Sequence, residues 1–363
     1  MQAFRFWPDV LADPLSPAMV FDIGGTWFRS AHFSPGLPLA QVQHHPALSF
    51  HSDRQASAAS LKEGLLAYLV DTALAHGARR CGVSLGAAMD ARSGQVYGSG
   101  PLWGSDCGGL DLPGELARRT PGVRWHVAND VTCALLHYAS QLAPQSPPLR
   151  KVMLITVSTG IACRTLDLRT GEVPVDSFGL QGEIGHLPVA PAQWAPRRTL
   201  DLCCDCGGRN HLAAFSSGRG LRNLHRALRQ HVHPLWAGSL LGRLRAAGVE
   251  HEAALADALD AQDPYALTLL RLGTRAMADT LRCALALDPE LDRIVLTGGV
   301  STHLGQHYLD ALATHFDEAG LYLTSTFDPG YIMNRIVIAT PGTADGLYGA
   351  GLQMKTAARE WTS

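Results

Sequence analysis

The chain has 363 residues, of which 46% are hydrophobic and 17% are charged, and its formal net charge is −2. A chain of this length exceeds one ordinary hydrophobic core, so we expect two lobes, and the composition excludes an intrinsically disordered protein. The nearly balanced charge provides no basic field for nucleic acid, so we do not expect a nucleic-acid partner.

The N-terminal stretch MQAFRFWPDVLADPLSPAMVFDIGG lacks the basic and apolar regions of a secretory signal, and no run of 18 or more uninterrupted apolar residues follows it. We therefore expect a cytoplasmic protein with no membrane partner. Most of the eight cysteines are scattered along the chain, which does not favour a disulfide framework.

Strands and helices alternate along the chain. Residues 18–33, AMVFDIGGTWFRSAHF, predict a β-hairpin with a small-residue tip, and residues 61–77 predict a helix. Residues 81–86 and 123–130 predict strands, with a helix directly after the second. Residues 151–168, KVMLITVSTGIACRTLDL, then predict another hairpin.

The recurrence of hairpin, strand and helix predicts an α/β protein with two related lobes. We expect a small lobe at residues 1–130, completed by a C-terminal helix at 344–363, and a large lobe at 131–343 that carries a zinc-binding loop. The proline-rich stretch Pro144 to Pro148 marks a connector.

Three small-residue turns follow predicted strands and are typical of phosphate binding, because glycine lets backbone N–H groups approach a phosphate closely. Asp22 at the first turn can hold Mg²⁺ through water. The alternative is that these are ordinary tight turns. The turn residues are Gly24, Gly25 and Thr26, then Thr159 and Gly160, and finally Gly298 and Gly299.

Asn129 and Asp130 stand where a predicted strand gives way to a helix. A carboxylate there can accept the proton of a substrate hydroxyl that attacks a phosphoryl group, and the amide can bind a neighbouring hydroxyl. The alternative is that Asp130 is a helix N-cap, a position that aspartate favours.

A cluster of metal-ligating residues follows the second hairpin. Cys204 and Cys206, with His211 five residues later, are suited to Zn²⁺, and His186 of the GEIGH segment can complete a tetrahedral site. Glu183 of that segment can bind substrate hydroxyls. The alternative is a loop of reduced cysteines, in which Cys203 is a further thiol.

The ordered motifs DIGGT, ND, GEIGH, CDCG and LTGG resemble the ROK family of sugar kinases and repressors. The resemblance implies a two-lobed actin-like ATPase and sugar kinase fold with an interlobe cleft, ATP and Mg²⁺ as cosubstrate and cofactor, structural Zn²⁺ and a homodimer. It also implies that Asp130 is the catalytic base and that Asn129, Glu183 and His186 bind substrate. The residues of the three small-residue turns, with Asp22, match the nucleotide-binding set.

The chain departs from the family at three positions. His211 replaces the third cysteine of the usual CxCGxxGCxE motif, and Ala213 replaces its glutamate, which in family sugar kinases binds near the anomeric end of the sugar. In GSGPLWG, Gly100 and Pro101 stand where hexose kinases of the family place a sugar-binding asparagine. These losses favour a changed acceptor, and we hypothesise a C7-cyclitol of the valiolone or valienone type.

Other functions stay open on the sequence. A glucokinase or an N-acetylhexosamine kinase retains the phosphoryl-transfer residues with another acceptor. A sugar-responsive repressor needs a helix-turn-helix segment, and 21 residues before Asp22 are too few for one. A non-catalytic sugar-binding regulator would bind nucleotide without turnover.

Overall fold

The computed structural model of the chain describes residues 18–50, 52–104, 106, 108–143, 147–231 and 233–359. The stretch before residue 18, in which we predict no secretory signal, lies outside the described residues. So do residues 144–146 of the predicted connector and residues 360–363 of the predicted C-terminal helix. Among the helices of the described ranges, none has the length and apolar character needed to cross a membrane.

The first part of the chain forms a mixed sheet with helices. Its elements are β1 (Ala18–Ile23), β2 (Trp27–Phe33), β3 (Ala40–Pro46), α1 (Ala58–Ala75), β4 (Arg80–Leu85), β5 (Ala88–Met89), β6 (Gln95–Gly98), α2 (Gly100–Trp103), β7 (Leu110–Asp111), α3 (Leu112–Arg119), β8 (Arg124–Asn129) and α4 (Asp130–Ser140). The five-stranded sheet has the order β3-β2-β1-β4-β8. Strands β1 and β2 form the first predicted hairpin, and β4 lies parallel to both β1 and β8.

The second part begins with the other predicted hairpin and is rich in helices. Its elements are β9 (Lys151–Val157), β10 (Ile161–Asp167), β11 (Ala192–Ala195), β12 (Arg198–Leu200), α5 (Leu212–Ser216), α6 (Gly218–His231), α7 (His233–Gly238), α8 (Leu240–Ala246), α9 (His251–Asp260), α10 (Pro264–Leu287), β13 (Leu291–Thr297), α11 (Gly299–Glu318), α12 (Thr324–Phe327), β14 (Ile336–Ile338) and α13 (Gly346–Arg359). Its four-stranded sheet has the order β10-β9-β13-β14, in which β13 is parallel to β9 and β14.

Local sequence explains where the long helices begin. Helix α10 starts at Pro264, whose missing N–H is not needed in the first turn, and the carboxylate of Asp263 accepts the N–H of Ala266 at 2.9 Å. Helix α1 is capped in the same way by Ser57, whose hydroxyl accepts the N–H of Ser60 at 3.2 Å.

The described chain divides into two compact units. One contains the residues up to Pro148, Arg164–Gln181 and the residues from Gly342, and the other contains Leu149–Cys163 and Gly182–Pro341. In the first unit, apolar residues such as Phe21 and Leu69 are fully buried, and in the second Leu281 and Leu296 are. The predicted boundary of the small lobe at residue 130 stays a prediction.

Candidate active site

The DIGGT turn joins β1 to β2, and the N–H of Gly24 donates to the carbonyl of Trp27 at 3.1 Å. A Cβ at Gly25 would lie 2.7 Å from Cβ of Pro101, whereas a Cβ at Gly24 would meet its nearest neighbour at 3.5 Å. Gly25 is therefore required by the close approach of Pro101. Protein packing does not impose the same requirement on Gly24, where an added Cβ would make an ordinary van der Waals contact.

Asp22 is held by side chains of its own unit. Its Oδ2 accepts Nε and Nη2 of Arg29 at 3.1 and 2.8 Å, and its Oδ1 accepts the hydroxyl of Ser84 at 2.6 Å. Arg29 also donates to Asp345 at 2.7 Å. Burial alone would lower the pKa of Arg29, but the two carboxylates outweigh it and hold that pKa above its usual value.

Our sequence reasoning missed Arg29 and Asp345. A signal for Arg29 was available, because a hairpin with Gly25 and Thr26 at its tip pairs Asp22 with Arg29, and this is the observed register. Asp345 is separated from Asp22 by most of the chain. Its position beside Arg29 could not be read from local pattern.

Asn129 and Asp130 lie at the junction of β8 and α4. The side-chain oxygen of Asn129 accepts the N–H groups of Val131 and Thr132 at 3.0 and 3.3 Å, so Asn129 is the N-cap. The alternative that made Asp130 the cap was therefore wrong by one residue. The amide of Asn129 also donates to Ala87 O at 3.0 Å.

Asp130 occupies the first turn of α4, where the N–H of Val131 donates to its Oδ1 at 2.9 Å. Its Oδ2 lies 3.4 Å from the position of a Cβ on Gly86, the residue that follows β4. Burial raises the pKa of the Cys133 thiol, and the negative charges of Asp22 and Asp130 raise it further. The negative charges of these two predicted site carboxylates therefore both act on one buried side chain.

In the second unit, the predicted Thr159–Gly160 turn joins β9 to β10, and the N–H of Ser158 donates to Gly160 O at 2.9 Å. Gly298, at the end of β13, has a φ of 91°, and a Cβ there would lie 2.6 Å from Val157 O. Only glycine fits that close approach of α11 to β9. Gly299 then begins α11.

Gly218 is a residue of this region that sequence reasoning missed. It begins α6, and its N–H donates to Ser158 O at 2.8 Å. Gly218 therefore joins Gly160 and Gly298 as a third glycine at the Thr159–Gly160 turn. The signal was the serine before it: the hydroxyl of Ser217 accepts the N–H of Gly220 at 3.0 Å, as at a helix start.

The GEIGH segment runs against the backbone of β10. Gly182 has a φ of 71°, and a Cβ there would lie 2.0 Å from Cys163 O, while its own carbonyl accepts the N–H of Cys163 at 2.8 Å. A Cβ at Gly185 would be 2.3 Å from a β10 carbonyl. The two glycines therefore fix a tight turn that carries Glu183 at its start and His186 at its end.

The four predicted metal ligands form one group. The ligand atoms of His186, Cys204, Cys206 and His211 all lie within 4.8 Å of one another. Nδ1 of His186 is 3.9 Å from Sγ of Cys204, and Nδ1 of His211 is 3.2 Å from Sγ of Cys206. In tetrahedral zinc sites, neighbouring ligand atoms are about 3.3–3.8 Å apart. The donor types suit zinc, and the separations of up to 4.8 Å are wider than those of a metal-bound site. Cys203 is not part of the group.

Two of the chain's three departures from the family lie on short helices. Gly100 begins α2, and a Cβ there would meet no atom within 4 Å. Ser99 caps this helix by accepting the N–H of Leu102 at 3.3 Å. Ala213 lies in α5, two residues after His211, with a half-buried methyl side chain.

Comparisons with known proteins identify the family of the chain. The model of the ROK family matches residues 19–356. The chain is 47% identical over 340 residues to a 2-epi-5-epi-valiolone 7-kinase of Actinoplanes sp., covering 93% of each protein. It is 30% identical over 316 residues to a C(7)-cyclitol 7-kinase of Streptomyces hygroscopicus subsp. jinggangensis, covering 84% of this chain and 85% of that protein.

Solved structures confirm the predicted fold class. A ROK family glucokinase from Streptomyces griseus, in complex with glucose and AMPPNP, is similar with a TM-score of 0.67 at 20% identity, covering 92% of this chain and 98% of that one. A ROK hexokinase from Thermus thermophilus gives a TM-score of 0.63 at 21% identity, covering 95% and 100%. The chain belongs to the ROK family and has the actin-like α/β fold of its sugar kinases.

Proposed function

We propose that the protein is an ATP-dependent kinase that phosphorylates a primary hydroxyl of a C7-cyclitol of the valiolone or valienone type. The observation that carries this proposal is the identity to the Actinoplanes valiolone kinase, which extends over nearly the whole chain. The second relative, from Streptomyces hygroscopicus, is by its name a kinase of the same class of acceptor.

Asp130 is the catalytic base of this proposal. The N–H of Val131 fixes one carboxylate oxygen, which orients the group, and the helix start is a favourable place for a negative charge. As the acceptor oxygen bonds to the γ-phosphorus, the bond to the bridging oxygen of ADP breaks and the hydroxyl proton passes to Asp130. ADP and the phosphorylated cyclitol are the products.

The remaining predicted residues bind and orient. Asn129 keeps a second amide N–H for an acceptor hydroxyl beside its bond to Ala87, and Glu183 and His186 bind further hydroxyls. The backbone N–H groups of two turns bind the ATP phosphates, and the turn at the start of α11 binds the nucleoside. These turns are Gly24–Thr26, Thr159–Gly160 and Gly298–Gly299.

Mg²⁺ and Zn²⁺ have different roles. Mg²⁺ neutralises charge on the ATP phosphates, and Asp22 can contact only its water shell, since three donors already occupy three of about four acceptor positions of that carboxylate. Zn²⁺ at His186, Cys204, Cys206 and His211 is structural, because four protein ligands leave no open position. We propose that it orients the turn that carries Glu183.

The residues that depart from the family support a cyclitol acceptor. A cyclitol ring has no anomeric carbon, so the glutamate that Ala213 replaces has no partner to bind. Where hexose kinases of the family carry a sugar-binding asparagine, this chain has Gly100, with no atom within 4 Å of the position of a Cβ. A buried polar side chain that finds no hydrogen-bond partner on the acceptor costs about 1–3 kcal/mol of binding free energy. The absence of the family's glutamate and asparagine from this chain therefore favours binding of a cyclitol that cannot pair with them.

An acceptor panel tests this proposal. ADP release with Mg·ATP would be measured with 2-epi-5-epi-valiolone, valienone, glucose, mannose, N-acetylglucosamine and N-acetylmannosamine. We expect the highest kcat/KM with a C7-cyclitol. Higher turnover of glucose or of an N-acetylhexosamine would keep the kinase and reject the cyclitol. Nucleotide binding with no turnover of any acceptor would favour the non-catalytic regulator.

We also propose that the enzyme is a cytoplasmic homodimer, which is the state that the family resemblance implies. Light scattering of the purified protein would give twice the monomer mass of 38.8 kDa. A monomer mass at all concentrations would contradict the dimer.

A further inference from the structure

The segment between β3 and α1 holds the carbonyl groups of the DIGGT turn. The hydroxyl of Ser49 donates to Gly25 O at 2.6 Å, and the N–H of Ala47 donates to Thr26 O at 3.1 Å. The carbonyls of Gly25 and Thr26 therefore both accept hydrogen bonds from residues 47–49. Neither contact belongs to a motif that the sequence analysis singled out.

Ser49 is fully buried, with 0% of its surface exposed. A buried hydroxyl needs a partner, and its acceptor here is the carbonyl of Gly25. Ser52 has another role in the same segment: its hydroxyl donates to Ala47 O at 2.6 Å and to Ser49 O at 2.9 Å. Ser52 folds the segment and contacts the Ser49 hydroxyl, because its N–H donates to Ser49 Oγ at 3.2 Å and the two Oγ atoms are 3.1 Å apart. The bond from this pair of serines to the turn comes from Ser49.

The far side of the segment is anchored to α2. The N–H of Phe50 donates to Leu102 O at 2.8 Å, and a Cβ at Gly104 would lie 3.1 Å from the Phe50 ring. Pro101 of α2 in turn packs against Gly25. The turn is thus held by both Ser49 and Pro101, which are themselves linked through the backbone of residues 49–50 and 101–102.

Peptide geometry gives this contact a consequence for binding. In a planar trans peptide the C=O and the following N–H point in opposite directions. Because Ser49 holds Gly25 C=O on its own side, the N–H of Thr26 is directed to the other side of the turn. We propose that Ser49 is a positioning residue that aims the Thr26 N–H at a phosphate of the nucleotide. The inference rests on the proposed ATP binding.

The test compares two alanine variants in one segment. Mg·ATP and adenosine would be titrated into the wild type, Ser49→Ala and Ser52→Ala by calorimetry, without acceptor. Losing one hydrogen bond weakens an interaction by about three- to tenfold. We expect Ser49→Ala to weaken Mg·ATP binding by about that factor and to leave adenosine, which has no phosphate, unchanged. Ser52→Ala should retain both affinities within about twofold.

Three results would overturn the inference: unchanged Mg·ATP affinity in Ser49→Ala, an equal loss for adenosine, or an equal loss in Ser52→Ala. Thermal melting would establish that both variants are folded. If Ser49→Ala does not fold, Ser49→Cys, which has a weaker donor on a slightly longer side chain, would be judged by the same changes in Mg·ATP and adenosine affinity. Wild-type protein that binds Mg·ATP but phosphorylates no cyclitol would refute the proposed acceptor and leave the role of Ser49 to be decided by these affinities.

Discussion

A pair of buried histidines predicts how stability changes with pH. His225 of α6 and His251 of α9 are only 8% and 5% exposed, and their ring centroids are 5.2 Å apart. Nδ1 of His225 lies 3.1 Å from the hydroxyl of Tyr265, and Nε2 of His251 has no hydrogen-bond partner among the described residues. Both imidazoles are therefore placed to be neutral in the folded protein.

Burial lowers the pKa of each histidine to about 4. For His225 the neighbouring His251 and three arginines lower the pKa further. For His251 the positive charges of Arg222 and Arg245 act in the same direction, while two nearby glutamates oppose them. The charged residues that act on one or the other histidine are thus mainly cationic, and they disfavour protonation of the pair.

The sign of the effect follows from proton linkage. An unfolded histidine has a pKa of about 6.5, so between that value and 4 the unfolded state binds more protons and acid lowers the free energy of unfolding. The contribution is present above pH 6.5 and is lost progressively toward pH 4. From pH 7.5 to pH 5, each imidazole removes about 2 kcal/mol, and the pair together about 4 kcal/mol.

Urea unfolding at pH 7.5 and pH 5 would measure this loss in the wild type and in His251→Phe. Phenylalanine has a similar shape and does not titrate. Because Nε2 of His251 has no hydrogen-bond partner among the described residues, the substitution breaks no hydrogen bond of that nitrogen. We expect the variant to lose about half as much stability as the wild type. His303→Phe, at an exposed position of α11, is the control and should behave as the wild type does. An equal loss of stability at pH 5 in His251→Phe and the wild type would show that His251 does not cause the acid sensitivity.

Two further predictions concern the turn and the metal group. Gly25→Ala should destabilise the fold by about 1–3 kcal/mol because its Cβ would overlap Pro101, whereas Gly24→Ala should melt as the wild type does, and equal melting temperatures would contradict the packing argument. Cys206→Ser should bind zinc at least tenfold more weakly by metal analysis after dialysis, as expected for the loss of a thiolate ligand, while Cys203→Ser should retain about one zinc per chain. Full zinc content in Cys206→Ser would contradict the ligand set.

The features that the sequence predicted are those set by local chemistry. Both hairpins formed where small residues interrupt apolar runs, because turn and strand preferences act over a few residues. The predicted metal ligands came together because three of them are close in sequence and the glycines of GEIGH force His186 into a tight turn.

The features that could not be predicted depend on contacts between distant segments. Nothing local places Asp345 beside Arg29 or the hydroxyl of Ser49 beneath Gly25. The helix cap was misplaced for another reason: Asn129 and Asp130 both favour that position, and only the backbone geometry distinguishes them.

The proposed function requires Asp130 to accept the proton of a C7-cyclitol hydroxyl. The most direct test is the kcat of Asp130→Asn with Mg·ATP and 2-epi-5-epi-valiolone, beside Asp257→Asn as a control at an exposed aspartate of α9. A general base accelerates the chemical step by about 10²- to 10⁴-fold, so the kcat of Asp130→Asn should fall by that factor while the affinity for Mg·ATP is retained. Asp257→Asn should have the kcat of the wild type. A kcat of Asp130→Asn equal to that of the wild type would contradict the role of Asp130 as the catalytic base.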